Sequence, residues 1–219
     1  MRAIEGAEVV ILSGGGLEDF MEDSLRNVSC VIDASRNIQL HCNEHSHEHH
    51  GHSHENDPHI WLSPANARLM ARNICAALME RYPEHAGVFQ TNLTALEQRF
   101  TQLEEHAATQ LASLSCRELV TFHDGFGYLA DAFGLKILHA IEEESGSEAS
   151  AAELKHLIGL VSEHQLPAIF TEVNGSPAAA TVVSAETGVK VYALDMAMGA
   201  ESWFDAMYHN IAVLKEALE

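Results

Sequence analysis

Basic residues are scarce in this sequence. Lysine and arginine number 12 in 219 residues, against 32 aspartates and glutamates, for a formal charge of -20. A chain of that sign repels phosphate backbones and anionic lipid surfaces, which excludes nucleic acid as a partner, and it attracts cations. Long apolar runs are missing too: none approaches the roughly 18 residues needed to span a bilayer. The opening Met1-Arg-Ala-Ile-Glu-Gly-Ala-Glu8 lacks the basic head and apolar middle of a signal peptide. Taken alone, that implies a cytoplasmic chain or one trimmed at its front. The four cysteines (Cys30, Cys42, Cys75, Cys116) form no Cys-x-x-Cys pair, which argues against a structural zinc knuckle and leaves their redox state open. Gly14-Gly15-Gly16 follows a strand-like run without the spacing of a phosphate loop, and reads as a turn. No His-Glu-x-x-His occurs, so a zinc hydrolase would have only Glu172 to serve as general base.

Histidine, by contrast, is abundant. Of 15 in the chain, seven fall in one tract: His41, His45, His47, His49, His50, His52 and His54. Imidazole is the commonest protein ligand for zinc, copper and nickel. A run of His, Glu, Ser, Gly and Asn has nothing to bury, so a loop is expected. Directly after it comes Asp57-Pro-His-Ile-Trp-Leu-Ser-Pro64. Pro58 fixes the approach to His59, and Ser63-Pro64 reads as an N-cap followed by proline at the first helical position. One histidine is therefore held at a rigid helix entry beside a set of metal-seeking ones.

Glu8–Leu12 and Cys30–Ala34 read as short strands, with helical spacing from Leu17 to Leu25 between them. Apolar residues at Leu69, Ile74 and Leu78 mark a helix over 65–81, stopped near Pro83. A second helix runs from about His85 to Leu114, with Phe89, Leu93, Leu96, Phe100, Leu103 and Leu111 on one face. At 1.5 Å per residue it is roughly 40 Å long, more than one small domain needs. Beyond it strands alternate with helices: strands at 118–122, 136–140, 167–171 and 189–194, and helices at 127–133, 151–164, 177–187 and about 201–218. That alternation predicts an α/β fold with parallel sheets covered on both faces.

Three polar residues share one address in this pattern. His123, Glu172 and Asp195 each lie just past the carboxyl end of a predicted parallel strand, the edge where open α/β sheets bind ligands. Imidazole and carboxylates suit a divalent ion, and two carboxylates offset its charge. His85, His106, His139, His164 and His209 read as surface or packing residues; His156, on the helix feeding the Glu172 strand, is added as a further candidate ligand.

The motifs Asp57-Pro-His59-Ile-Trp-Leu-Ser-Pro64, Phe122-His123-Asp124-Gly-Phe-Gly-Tyr-Leu-Ala-Asp-Ala-Phe-Gly-Leu135, Ile169-Phe-Thr-Glu172 and Leu194-Asp195 resemble the ZnuA/TroA-type metal receptors, the solute-binding proteins of bacterial ABC importers for zinc, manganese or iron. The resemblance covers essentially the whole chain. It implies two α/β lobes joined by a long rigid helix, with the metal in the interlobe cleft: an N-terminal lobe at 1–84 carrying the histidine-rich loop 41–56, a linking helix at 85–115, and a C-terminal lobe at 116–219. Carried over by position, it implies His59, His123, Glu172 and Asp195 as metal ligands, the tract as an auxiliary collector, and a monomeric non-enzyme that hands its ion to a permease from a periplasmic or membrane-anchored extracellular location. Two departures stand out. The family's first histidine comes from an early strand upstream of this chain's start. Zinc-type members also use a histidine near the position of Ala152, which leaves Glu172 as the third ligand. The histidine loop resembles the zinc branch, while the His/Glu/Asp set resembles the manganese branch. Zinc is the expected ion, with manganese or iron as the alternative.

Overall fold

The structure is a computed structural model that describes residue 4 and residues 6–42, 56–141, 149–199 and 202–219. The expected histidine-rich loop, with His45, His47, His49, His50, His52 and His54, lies outside the described residues, as does most of the acidic segment after residue 141. Two compact units make up the chain, 1–102 and 103–219.

In the first unit, β1 (Val10–Leu12) and β2 (Val31–Asp33) pair in parallel, with Val10 opposite Val31 and Leu12 opposite Asp33. β1 ends in a turn whose three glycines, Gly14, Gly15 and Gly16, have φ of 81°, 67° and 93°. An L side chain would be strained at each of these. The Glu18 carboxylate closes the turn by accepting from the N–H groups of Ser13 (2.9 Å) and Gly14 (3.0 Å). The helix expected over 17–25 is only a 3-10 turn at Asp19–Met21 followed by the four-residue α1 (Glu22–Leu25). Its apolar spacing finds no packing surface among the described residues: neither piece buries a residue, and Phe20 is 83% exposed.

The next helix begins where its caps predict. α2 (Pro64–Arg81) has Pro64 in its first turn, and Ser63 Oγ accepts from the Asn66 N–H. It packs over β2 and over the Ile60–Leu62 turn. Asn73 fastens it there by donating to the carbonyls of Ala34 (2.9 Å) and Arg36 (2.8 Å). Beside β2 and α2 lies a cavity of about 680 Å³, lined by Val31, Asp33, Asn73, Ala77 and Glu80 among others. α3 (Ala86–Gln110) follows, and the division between the units falls within it.

The second unit is built on one all-parallel sheet of four strands: β3 (Glu118–Thr121), β4 (Lys136–Ala140), β5 (Ala168–Glu172) and β6 (Lys190–Leu194). The helices between and after them are α4 (Gly127–Ala132), α5 (Ala151–His164), α6 (Ala178–Thr187) and α7 (Trp203–Leu218). β5 is buried at four of five positions, as a strand covered on both faces must be. Val120, Leu157, Val161, Ile169, Ala180 and Val183 form the core between sheet and helices. Each of the larger side chains contributes about 1.5–3 kcal/mol by burial. α5 opens with a capping box between Ser150 and Glu153, and α6 closes at Gly188 in the left-handed conformation.

The strand order is β4-β3-β5-β6. The chain moves outward from β3 to β4 on one side and from β5 to β6 on the other. Connections leaving the carboxyl ends of β3 and β5 therefore diverge and open a crevice between them, the position at which α/β sheets bind ligands. Among the described residues no helix is long and apolar enough to cross a membrane.

Candidate metal centre

His123 stands two residues beyond β3. Its predecessor Phe122 donates its N–H to the Phe170 carbonyl of β5 (2.8 Å), which fixes the backbone across the crevice. Glu172 is the last residue of β5 instead of lying past it: Glu172 pairs with Leu194, and Val173 donates to the Leu194 carbonyl (2.9 Å), so the ladder runs one residue further than the apolar pattern. From opposite sides of the crevice, His123 Nδ1 and Glu172 Oε2 come within 3.9 Å. That is too long for a hydrogen bond. Two donor atoms on one tetrahedral zinc stand about 3.4 Å apart, so the pair needs to close by only about half an ångström to share an ion.

Gly125 sets the pose of the His123 ring. A Cβ at that position would lie 2.7 Å from His123 Cδ2 and Nε2 and 2.8 Å from Met196 Cε. Only a residue without a side chain lets the imidazole fold back there.

Asp195 follows β6 directly and is clamped to α7. Its N–H donates to Asn210 Oδ1 (2.7 Å), and its carbonyl accepts from Asn210 Nδ2 (2.8 Å). Asn210 is completely buried. The Asp195 side chain turns the chain sharply, Oδ1 accepting from the N–H of Ala197, a residue held at φ 56°.

In the first unit His59 is gripped by Asp57. The nearly buried carboxylate takes the His59 backbone N–H (2.9 Å) and His59 Nδ1 (2.7 Å) on the same oxygen, Oδ1. A carboxylate can only accept, so the ring donates from Nδ1 and Nε2 becomes the basic nitrogen. This is the carboxylate–histidine pairing that orients metal-binding imidazoles. The Trp61 ring lies 5.4 Å from that of His59. Asp57 also ties the segment to the start of the tract, donating its N–H to the His41 carbonyl (2.9 Å), and Cys42 bridges Asn56 in antiparallel fashion.

Among the described residues no three His, Cys, Asp or Glu side chains already stand as a metal-holding group. The structure brings His123 and Glu172 together, anchors Asp195 at the neighbouring strand end, and fixes His59 in the other unit. His156 lies against His139. His164 pairs with Glu118 (2.8 Å), and His106 packs edge-on against Tyr208. Cys75 is buried, and burial, with Glu97 nearby, pushes its thiol up. The sequence pattern alone did not reveal Asp57, Gly125 or Asn210. For Asp57 a signal existed: an aspartate two residues before a proline-fixed histidine is within reach of its ring.

Over residues 1–217 the chain matches the family ZnuA, described as zinc-uptake complex component A, periplasmic. It is 32% identical to the zinc-binding lipoprotein AdcA of Streptococcus pneumoniae, over 80% of the chain and 37% of that protein. Identity to the manganese-binding lipoprotein MntA of Halalkalibacterium halodurans is 28%, over 96% of the chain and 71% of the relative. The iron-binding protein YfeA of Yersinia pestis is 27% identical over 85% of the chain, which spans 60% of YfeA. A crystal structure of ZnuA superposes with a TM-score of 0.86 at 29% identity, covering 99% of this chain and 82% of that one.

Proposed function

The chain belongs to the ZnuA family of metal receptors that serve ABC importers, and we propose that its cargo is zinc, held by His59, His123, Glu172 and Asp195 and passed unchanged to a permease outside the membrane. In this reading the first unit supplies His59, the second supplies the rest, and α3 (Ala86–Gln110) runs from one into the other. The observation that carries it is the approach of His123 Nδ1 and Glu172 Oε2 to 3.9 Å across the crevice between β3 and β5. Two imidazoles favour zinc over harder ions, and two carboxylates offset its charge. The tract gathers ions at weak, exchanging sites. Acidification releases the ion, because an imidazole must be neutral to bind metal.

A second reading, manganese or iron as cargo, is favoured by the carboxylates Glu172 and Asp195 and by relatives named for those metals. Zinc outbinds manganese at most nitrogen and oxygen sites, so titration alone does not separate the two. The test is mass-spectrometric identification of the metal that co-purifies from cells, together with zinc titration of a variant whose tract histidines are replaced. Stoichiometric zinc, and one tight site lost on His59→Ala, is the expected result. Co-purified manganese or iron selects the second reading, and the lack of a tight site for any of the three ions overturns both.

A further inference from the structure

His139 and His156 reach each other from different elements, β4 at the edge of the sheet and α5 packed on it. Their ring centroids are 5.1 Å apart and their planes 79° apart. Two imidazoles bound to one tetrahedral zinc through bonds of about 2.1 Å hold their ring centres about 5 Å apart. Apolar burial does not account for the pairing, since His156 is exposed and His139 only half-buried. Glu153 lies one turn before His156 on the same face of α5. The Ser150 hydroxyl, then the Ser150 backbone N–H, hold its carboxyl below the ordinary 4.5, and His139 adds to the effect. A negative charge on this face of α5 therefore acts on His139.

We propose that His139 and His156 form a second metal site, taking one zinc, copper(II) or nickel(II) ion, with water completing the coordination. Paired imidazoles suit these borderline ions better than magnesium or calcium. With two protein ligands and an exposed position, the site is weak and exchanges freely. An ion in it ties β4 to α5. The site shares no ligand with the one proposed above, so neither stands or falls with the other.

The test uses the full chain with His41, His45, His47, His49, His50, His52 and His54 changed to Asn, which silences the tract for the same probes. Zinc calorimetry of this protein is expected to show a tight and a weaker ion. His156→Gln, on an exposed helix face where folding is unaffected, weakens the second ion by at least about tenfold, the least that loss of even an outer partner costs. His139→Gln, with folding checked by circular dichroism, does the same, and His59→Ala leaves the weaker ion in place. Copper(II) added after one equivalent of zinc shows nitrogen couplings from two imidazoles by electron paramagnetic resonance, and from one in His156→Gln. A single bound zinc in the tract variant, or a titration and spectrum unmoved by His156→Gln, overturns the proposal.

Discussion

In the first unit His59 is held by residues no more than a few places away: Pro58 before it, Asp57 bonded to its ring, and the Ser63-Pro64 helix start behind it. In the second unit His123 is held from far along the chain. Phe170 anchors the residue before it, Glu172 faces its ring, and Met196 crowds the space that Gly125 leaves open. The first arrangement is a property of one short segment. The second exists only once β3, β5 and β6 are in register. One proposed ligand can therefore be preformed early and cheaply in entropy, while the other proposed ligands arrive together with the sheet.

Breaking the long-range arrangement should have the larger effect. Gly125→Ala drives a methyl group into the His123 ring and is expected to weaken zinc binding by about 100-fold in chelator competition, the upper end for a disturbed ligand environment. An affinity within threefold of the parent would mean the ring is not a ligand in this pose. Asp57→Asn, the local counterpart, keeps the shape but removes the acceptor charge on His59. We expect a loss of about 10-fold with an unchanged unfolding curve. Equal destabilisation of the fold by both substitutions would dissolve the distinction between the units.

Asn210→Ala probes the clamp behind Asp195. It leaves a buried N–H and a buried carbonyl unsatisfied, each costing about 1–3 kcal/mol. Denaturant unfolding should report that loss, and zinc affinity should fall with it; unchanged stability would show that α7 does not fix the strand end. The smallest effect is expected at Glu153. Its carboxyl titrates below 4.5 in the folded chain, so its contribution is complete above that value and disappears as pH falls through the lower folded one. Glu153→Gln should melt slightly below the parent at neutral pH and match it in acid. A gap of constant size from pH 7 to pH 3 would show that charge has no part in this capping box.

The same contrast governs what the sequence reveals. His59 and the α2 start are legible because proline, an N-cap serine and a histidine-rich neighbour are local signals. His123 and Asp195 are legible because buried parallel strands are short apolar runs whose ends can be counted. Glu172 lies one residue further inside its strand than the apolar run predicts, since only the partner strand decides where a ladder stops. The Asn210 clamp and the space at Gly125 depend on contacts across scores of residues and leave no periodic trace. The expected helix at Leu17–Leu25 fails for a related reason: spacing proposes a face, and only a packing partner makes it helical.

The Cys42–Asn56 bridge and the His41–Asp57 hydrogen bond bring both ends of the tract to one stem. Sequence inserted or removed beyond that stem leaves the geometry of His59 untouched. Loop closure makes even a doubling of length cost only about 0.6 kcal/mol. The tract is thus a cassette, one that an engineer can lengthen, shorten or strip of histidine without rebuilding the receptor beneath it.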